Sequence, residues 1–131
     1  RGSTDGTGSA ALFNLCFGLA FDPTGDNSRV LVGDHTSVRV VDLSTQEVTT
    51  IVGNLGTPGN AVGSGAESEI KDVRGLAFSP DGQTLYVVER QNHMIKAIRM
   101  CPTKCNAQCA TGYYQNLETS CHPDFFPSCA A

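Results

Sequence analysis

Two stretches of this chain are copies of one another. Phe17-Gly-Leu-Ala-Phe21, followed by Asp22-Pro-Thr-Gly25, recurs as Arg74-Gly-Leu-Ala-Phe78, followed by Ser79-Pro-Asp-Gly82. Gly18 and Gly75, Pro23 and Pro80, and Gly25 and Gly82 each stand 57 positions apart. The correspondence has one local slip, because Val30 matches Leu85 at an offset of 55 while Val38 matches Ile95 at 57. The inner turn is therefore two residues longer in the first copy and the next turn two shorter. Hairpin length alters the loop without moving the faces of the flanking strands, so the strand cores survive the slip.

Each copy reads as a set of short strands. Phe17–Phe21 is apolar, Val30–Val32 and Val38–Val41 follow with β-branched enrichment, and Val48-Thr-Thr-Ile-Val52 adds a fourth segment with a polar and an apolar face. The second copy gives Gly75–Phe78, Thr84–Val88 and Met94–Arg99, with turns at Ser79-Pro-Asp-Gly82 and around Gln91-Asn92-His93. Its fourth strand is not visible, because Cys101-Pro102 begins a different kind of sequence. That strand must come from the tail, from another chain, or not exist. Residues 53–72 form a Gly-, Pro-, Asn- and Ser-rich connection. Residues 1–11 have the small polar composition of a flexible linker, and residues 12–16 read as the remnant outer strand of a preceding unit.

The succession Val48-Thr-Thr-Ile-Val-Gly53, Gly56-Thr-Pro-Gly59, Arg74 to Gly82 and Leu85 to Lys96 resembles an NHL repeat, the unit of a β-propeller blade. The resemblance covers residues 12–100 and implies an all-β fold: two NHL-type blades of an incomplete propeller, then a small tail. Such repeats build closed rings of about six blades, within the general range of four to eight. Two blades cannot close a ring, so Leu19, Phe21, Leu31, Val40, Leu76, Phe78, Tyr86 and Ile98 are expected to lack part of their packing. At ~25 cal/mol per Å² of apolar surface, an open flank of several hundred Å² forfeits about 10 kcal/mol, comparable to a domain's whole stability. The resemblance thus implies a fragment or subunit of a larger assembly, completed by blades of the same polypeptide or by neighbouring chains. Strand edges at Val48, Thr50, Val52, Met94, Lys96 and Ile98 are the expected sites of protein contact, since unpaired backbone groups are a template for strand addition.

Five of the six cysteines, Cys101, Cys105, Cys109, Cys121 and Cys129, fall in residues 101–131, and Cys16 stands alone upstream. A tail this short and poor in apolar periodicity needs cross-links to offset its ordering entropy. The reading is a disulfide-rich tail, with an odd count that lets one cysteine reach back to Cys16. Disulfides imply an oxidising setting, hence a secreted or extracellular protein. Cys109-Ala-Thr-Gly-Tyr-Tyr114 with Cys121 is similar to the Cys-x-x-Gly-aromatic element of EGF-like and related extracellular modules.

A net charge of -4 gives no basic surface for nucleic acid or an anionic membrane, and no run of some twenty apolar residues suggests membrane insertion. Zinc is disfavoured for Cys101, Cys105, Cys109, Cys121 and His122, which lack Cys-x-x-Cys knuckles. His93 belongs to the Asn-His turn of the repeat, and His35 follows Asp34 at a strand end. Asp22, Asp26 and Asn27 fail the EF-hand pattern, with Gly33 where the bidentate Glu should stand, and Asp81 is a turn residue. No catalytic, cofactor or metal residue is assigned. The expectation is an extracellular protein-interaction or structural module, not an enzyme. The alternative, implied by the resemblance, is a fragment of an NHL-propeller enzyme, a metal-dependent lyase or hydrolase.

Overall fold

A computed structural model describes residues 1–23, 27–61, 67–100 and 117–118. It holds two twisted sheets and, among the described residues, no α-helix. The first sheet is made of β1 (Gly6–Thr7), β2 (Cys16–Phe21), β3 (Arg29–Asp34), β4 (Ser37–Asp42) and β5 (Glu47–Gly53), in the spatial order β1-β5-β4-β3-β2. The second contains β6 (Val73–Phe78), β7 (Thr84–Glu89), β8 (Met94–Arg99) and β9 (Leu117–Glu118), in that order. All pairings are antiparallel except β8 with β9, which is parallel. The seven repeat strands form at the repeated Gly-Leu-Ala-Phe segments and at the β-branched segments that follow them. Consecutive antiparallel pairing by short turns is what a blade requires.

The registers confirm the internal copy at the level of single pairs. Leu19 faces Val32 as Leu76 faces Val87, and Leu31 faces Val40 as Tyr86 faces Ala97. Paired residues share a face. Leu31, Val38, Val40 and Val52 therefore line one face of the first sheet, while Leu76, Phe78, Leu85, Val87 and Ile98 line one face of the second. These two faces meet, with Ile51, Ile70, Val73 and Met100, in a single core. Gly33 makes the approach possible, since a Cβ there would collide with Val73 Cγ1 and the Phe17 carbonyl oxygen. Gly18 has a φ of +80°, and a Cβ on it would lie 2.9 Å from the Gly75 Cα, so the two innermost strands touch backbone to backbone.

Three expectations are corrected. Residues 1–11 are not a free linker: β1 pairs with β5, Gly2 N–H donates to Phe13 O, Thr4 and Leu12 bond each other, and Gly8 N–H donates to Gln46 O. Gly6–Thr7 thus adds a fifth strand outside β5. Of residues 12–16, read as the outer strand of a preceding unit, Leu12 makes one isolated bridge to Thr4 and Cys16 opens β2. Small polar residues lack apolar anchors, but backbone pairing does not need them. Second, β5 is not an open edge, because β1 covers its start and Thr50 N–H donates to Asp5 Oδ2 at 2.9 Å. Val48 and Val52 are buried. Third, of the second edge only Met94 is partly exposed, since Lys96 and Ile98 are buried and β9 runs beside Ala97 and Ile98. The missing fourth strand is thus supplied, over two residues, by the tail. Cys101, Cys105, Cys109, Cys121, Cys129 and His122 lie outside the described residues, as does Asp26.

Candidate interaction flanks and the clamps behind them

Each sheet carries one buried ion pair in the same place. In the first, Arg39 Nη1 lies 3.2 Å from Asp34 Oδ2, and both side chains are fully buried. In the second, Lys96 Nζ lies 3.2 Å from Glu89 Oε1, with both side chains almost fully enclosed. The partners correspond across the copies, Arg39 to Lys96 at an offset of 57 and Asp34 to Glu89 at 55. Each pair grips the segment that leads into its sheet. Asp34 Oδ1 accepts from the amides of Asn14 and Leu15 at 2.9 and 3.0 Å, and Glu89 Oε2 accepts from the amide of Lys71 at 2.9 Å. Arg39 Nη1 donates to Leu12 O at 2.7 Å, and Lys96 Nζ donates to Glu69 O. Leu12 and Glu69 again stand 57 apart.

The first clamp is the more elaborate. Arg39 also donates to Asp5 Oδ1 from Nε and Nη2, at 3.1 and 2.8 Å, and to Thr4 O. Its guanidinium stands 4.4 Å from the centroid of the Phe13 ring. An isolated buried cation costs several kcal/mol of desolvation, and these partners are what offset it. Glu89 Oε1 meets Lys96 as a charge without an aligned hydrogen bond, although Glu89 Oε2 also accepts from Asn92 Nδ2 at 2.6 Å.

At the rim where β2 and β6 begin, Asp72 is buried and paired with Arg74 and Arg90, at 2.9 and 2.6 Å. Burial opposes its ionisation, but the hydrogen bonds and charges of the two arginines outweigh that effect and hold the carboxyl below its ordinary value. Arg74 stacks across the sheet junction with its guanidinium 4.1 Å from the Phe17 centroid. Cys16, next to Phe17 in the chain, is exposed and is the only cysteine among the described residues. Its pKa is raised by partial burial and by the charge of Asp34, against the opposing charge of Arg39.

Beyond the clamps lie two apolar flanks. On the far side of the first sheet, Leu19 and Phe21 are 58% and 53% exposed. Their counterparts Leu76 and Phe78 are partly buried and packed on the core. On the far side of the second, Tyr86, Val88 and Ile95 are 42%, 41% and 58% exposed, whereas their counterparts Leu31, Gly33 and Val38 are buried. Leu19, Phe21 and Tyr86 thus lack packing as expected from the repeat. Leu31, Val40 and Ile98 do not, because they face the internal junction.

Other singled-out residues are turn elements. His35 and His93 have φ of 49° and 52°, and Asp81 accepts from Ser79 Oγ and Gln83 N–H within its turn. Among the described residues no group of three His, Cys, Asp or Glu side chains could hold a metal ion. Reasoning from strand patterns missed the clamps, because Arg39 and Lys96 read as outward positions of amphipathic strands. The available signal was that both copies place an anion and a cation at matching positions.

The sequence matches no protein-family model. It is similar to NHL repeat-containing protein 2 of Bos taurus, with 32% identity over 98 residues, 74% of this chain and 13% of that protein. The protein of the same name from Homo sapiens is 30% identical over 97 residues, with the same coverage. The chain carries an NHL-repeat segment. This NHL segment spans about an eighth of the relatives' length, 13% of each. Its two sheets are β-propeller-type blades.

Proposed function

We propose that the NHL segment is a non-enzymatic protein-interaction and structural module, whose two flanks are covered by further blades, either of the same polypeptide or of adjoining subunits in a larger complex. The observation that carries this reading is the contrast between matching positions. Leu76 and Phe78 pack on a neighbouring blade, while Leu19 and Phe21, the same residues of the repeat, face solvent. Scattered exposed apolar side chains are ordinary, but contiguous ones at positions buried in the sister copy mark a contact surface. An extracellular setting belongs to the same proposal and rests on the cysteine content of residues 101–131.

The test is covalent surface labelling and native mass measurement of material from its natural source. Protection of Tyr86 and Phe21 in a species heavier than the chain alone supports the module. Free labelling of both in a lone 131-residue chain would overturn it. Thiol counting on the same material tests the setting: few free thiols without reductant agree with it, and six free thiols do not.

A further inference from the structure

The two flanks differ from the internal junction in opposite directions. On the far face of the second blade, Tyr86 stands where the internal junction has Leu31, Val88 where it has Gly33, and Ile95 where it has Val38. Three of that face's positions are larger, while Ala97 in place of Val40 is smaller. On the far face of the first blade, Cys16 stands where the junction has Val73, Val30 where it has Leu85, and Val41 where it has Ile98. Each of these is smaller, whereas Leu19, Phe21 and Val32 repeat Leu76, Phe78 and Val87 without change of size. Bulk gained by one flank is matched by room on the other. The clearest pair is Gly33 with Val73, where the glycine is needed because the valine fills its side-chain space. At the flanks the roles reverse to Val88 and Cys16.

We propose that a second copy of this chain docks head to tail, the Leu19–Phe21 flank of one copy on the Tyr86–Val88–Ile95 flank of the next, continuing the junction between the two blades. The inference deepens the proposed function and rests on it. Two further features favour a second copy. Gly18 and Gly75 already permit backbone contact of the inner strands, and a Cβ on Gly75 would meet only Val88, at 3.6 Å, so the position beyond Gly75 is open to the Gly18 of another copy. Arg74 stacks on Phe17, and the matching position of an incoming first blade is again a Phe. The guanidinium would then stand between two rings; a second-blade occupant would instead set arginine beside arginine. The contact is heterologous, so it closes into a ring or runs on as a filament. Rings of four to eight blades require roughly two to four copies.

The experiment uses the purified 131-residue chain and two variants, Ile95→Glu and Leu19→Glu. Both side chains are more than half exposed, so folding is checked by circular dichroism against the parent. The wild-type mass should rise with concentration in multiples of 13.8 kDa. Each variant alone should be monomeric at concentrations roughly tenfold above those that assemble the parent. An equal mixture of the two should form a one-to-one dimer, because one head and one tail remain intact. A wild-type chain that stays monomeric, or single variants that assemble as well as the parent, would overturn the second-copy proposal. Protected flanks in native material would then leave the module reading standing, with other blades as the occupants.

Discussion

Arg39 has no exposed surface and donates to two carboxylates and two carbonyl oxygens. Replacing it by Met keeps most of the volume but leaves Asp34 buried without its cation, a change that costs about 3–5 kcal/mol. Urea unfolding should show that loss for Arg39→Met and under ~1 kcal/mol for Arg90→Ala, whose guanidinium is mostly exposed. Asp72 sets the acid limit of the rim. Its folded pKa is lowered, so its contribution is fully present above the ordinary carboxylate value of 3.8 and is lost as pH falls through the folded value. In wild type, melting temperature should fall below about pH 4 by more than in Asp72→Asn, measured by thermal denaturation across pH. At this scale the turns were legible in sequence, because Pro80 presets φ and Gly82 takes a φ of +70°. The clamps were not, since a charged residue in an alternating strand looks like a solvated one until its partner on the incoming segment is known.

The strands of both blades could be drawn from sequence, β2 and β6 from the repeated Gly-Leu-Ala-Phe and the others from Val-, Ile- and Thr-bearing segments bounded by turn residues. β1 could not. Gly6 and Thr7 contribute backbone bonds, and what holds them is Asp5, which reaches Arg39, Thr50 N–H and Thr50 Oγ1 at once. Asp5→Ala should therefore release the segment without disturbing the core. Amide exchange would read this directly: protection of Thr50 and Gly8 drops, while that of Val87 in the second blade is unchanged. Equal loss at all three would mean that residues 1–11 are part of the global folding unit. β9 was equally hidden in the sequence, because a two-residue parallel pairing leaves no periodic trace.

For the molecule as a whole, the junction between blades is the only broad apolar interface among the described residues, and Gly33 governs its closeness. Gly33→Val should wedge the sheets apart against Val73 and cost about 1–3 kcal/mol, measured as a shift of the denaturant midpoint. The companion change Val73→Ala should recover part of that loss, which would identify steric contact as its cause. The repeat announced a paired architecture from sequence, but the sizes that distinguish one junction from the next acquired meaning only once the registers showed which side chains face each other.

The twin ion pairs also act as a ruler. By grasping carbonyl oxygens at Leu12 and Glu69, and amides within the next three residues, they index the chain immediately before β2 and β6. Length differences must therefore be absorbed upstream of those marks. Two residues inserted after Gly56, whose side-chain direction is open, should change the melting temperature little, whereas the same insertion after Lys71 should unfold the second blade. A family built on such a gauge can vary its connecting loops widely while every blade starts in step.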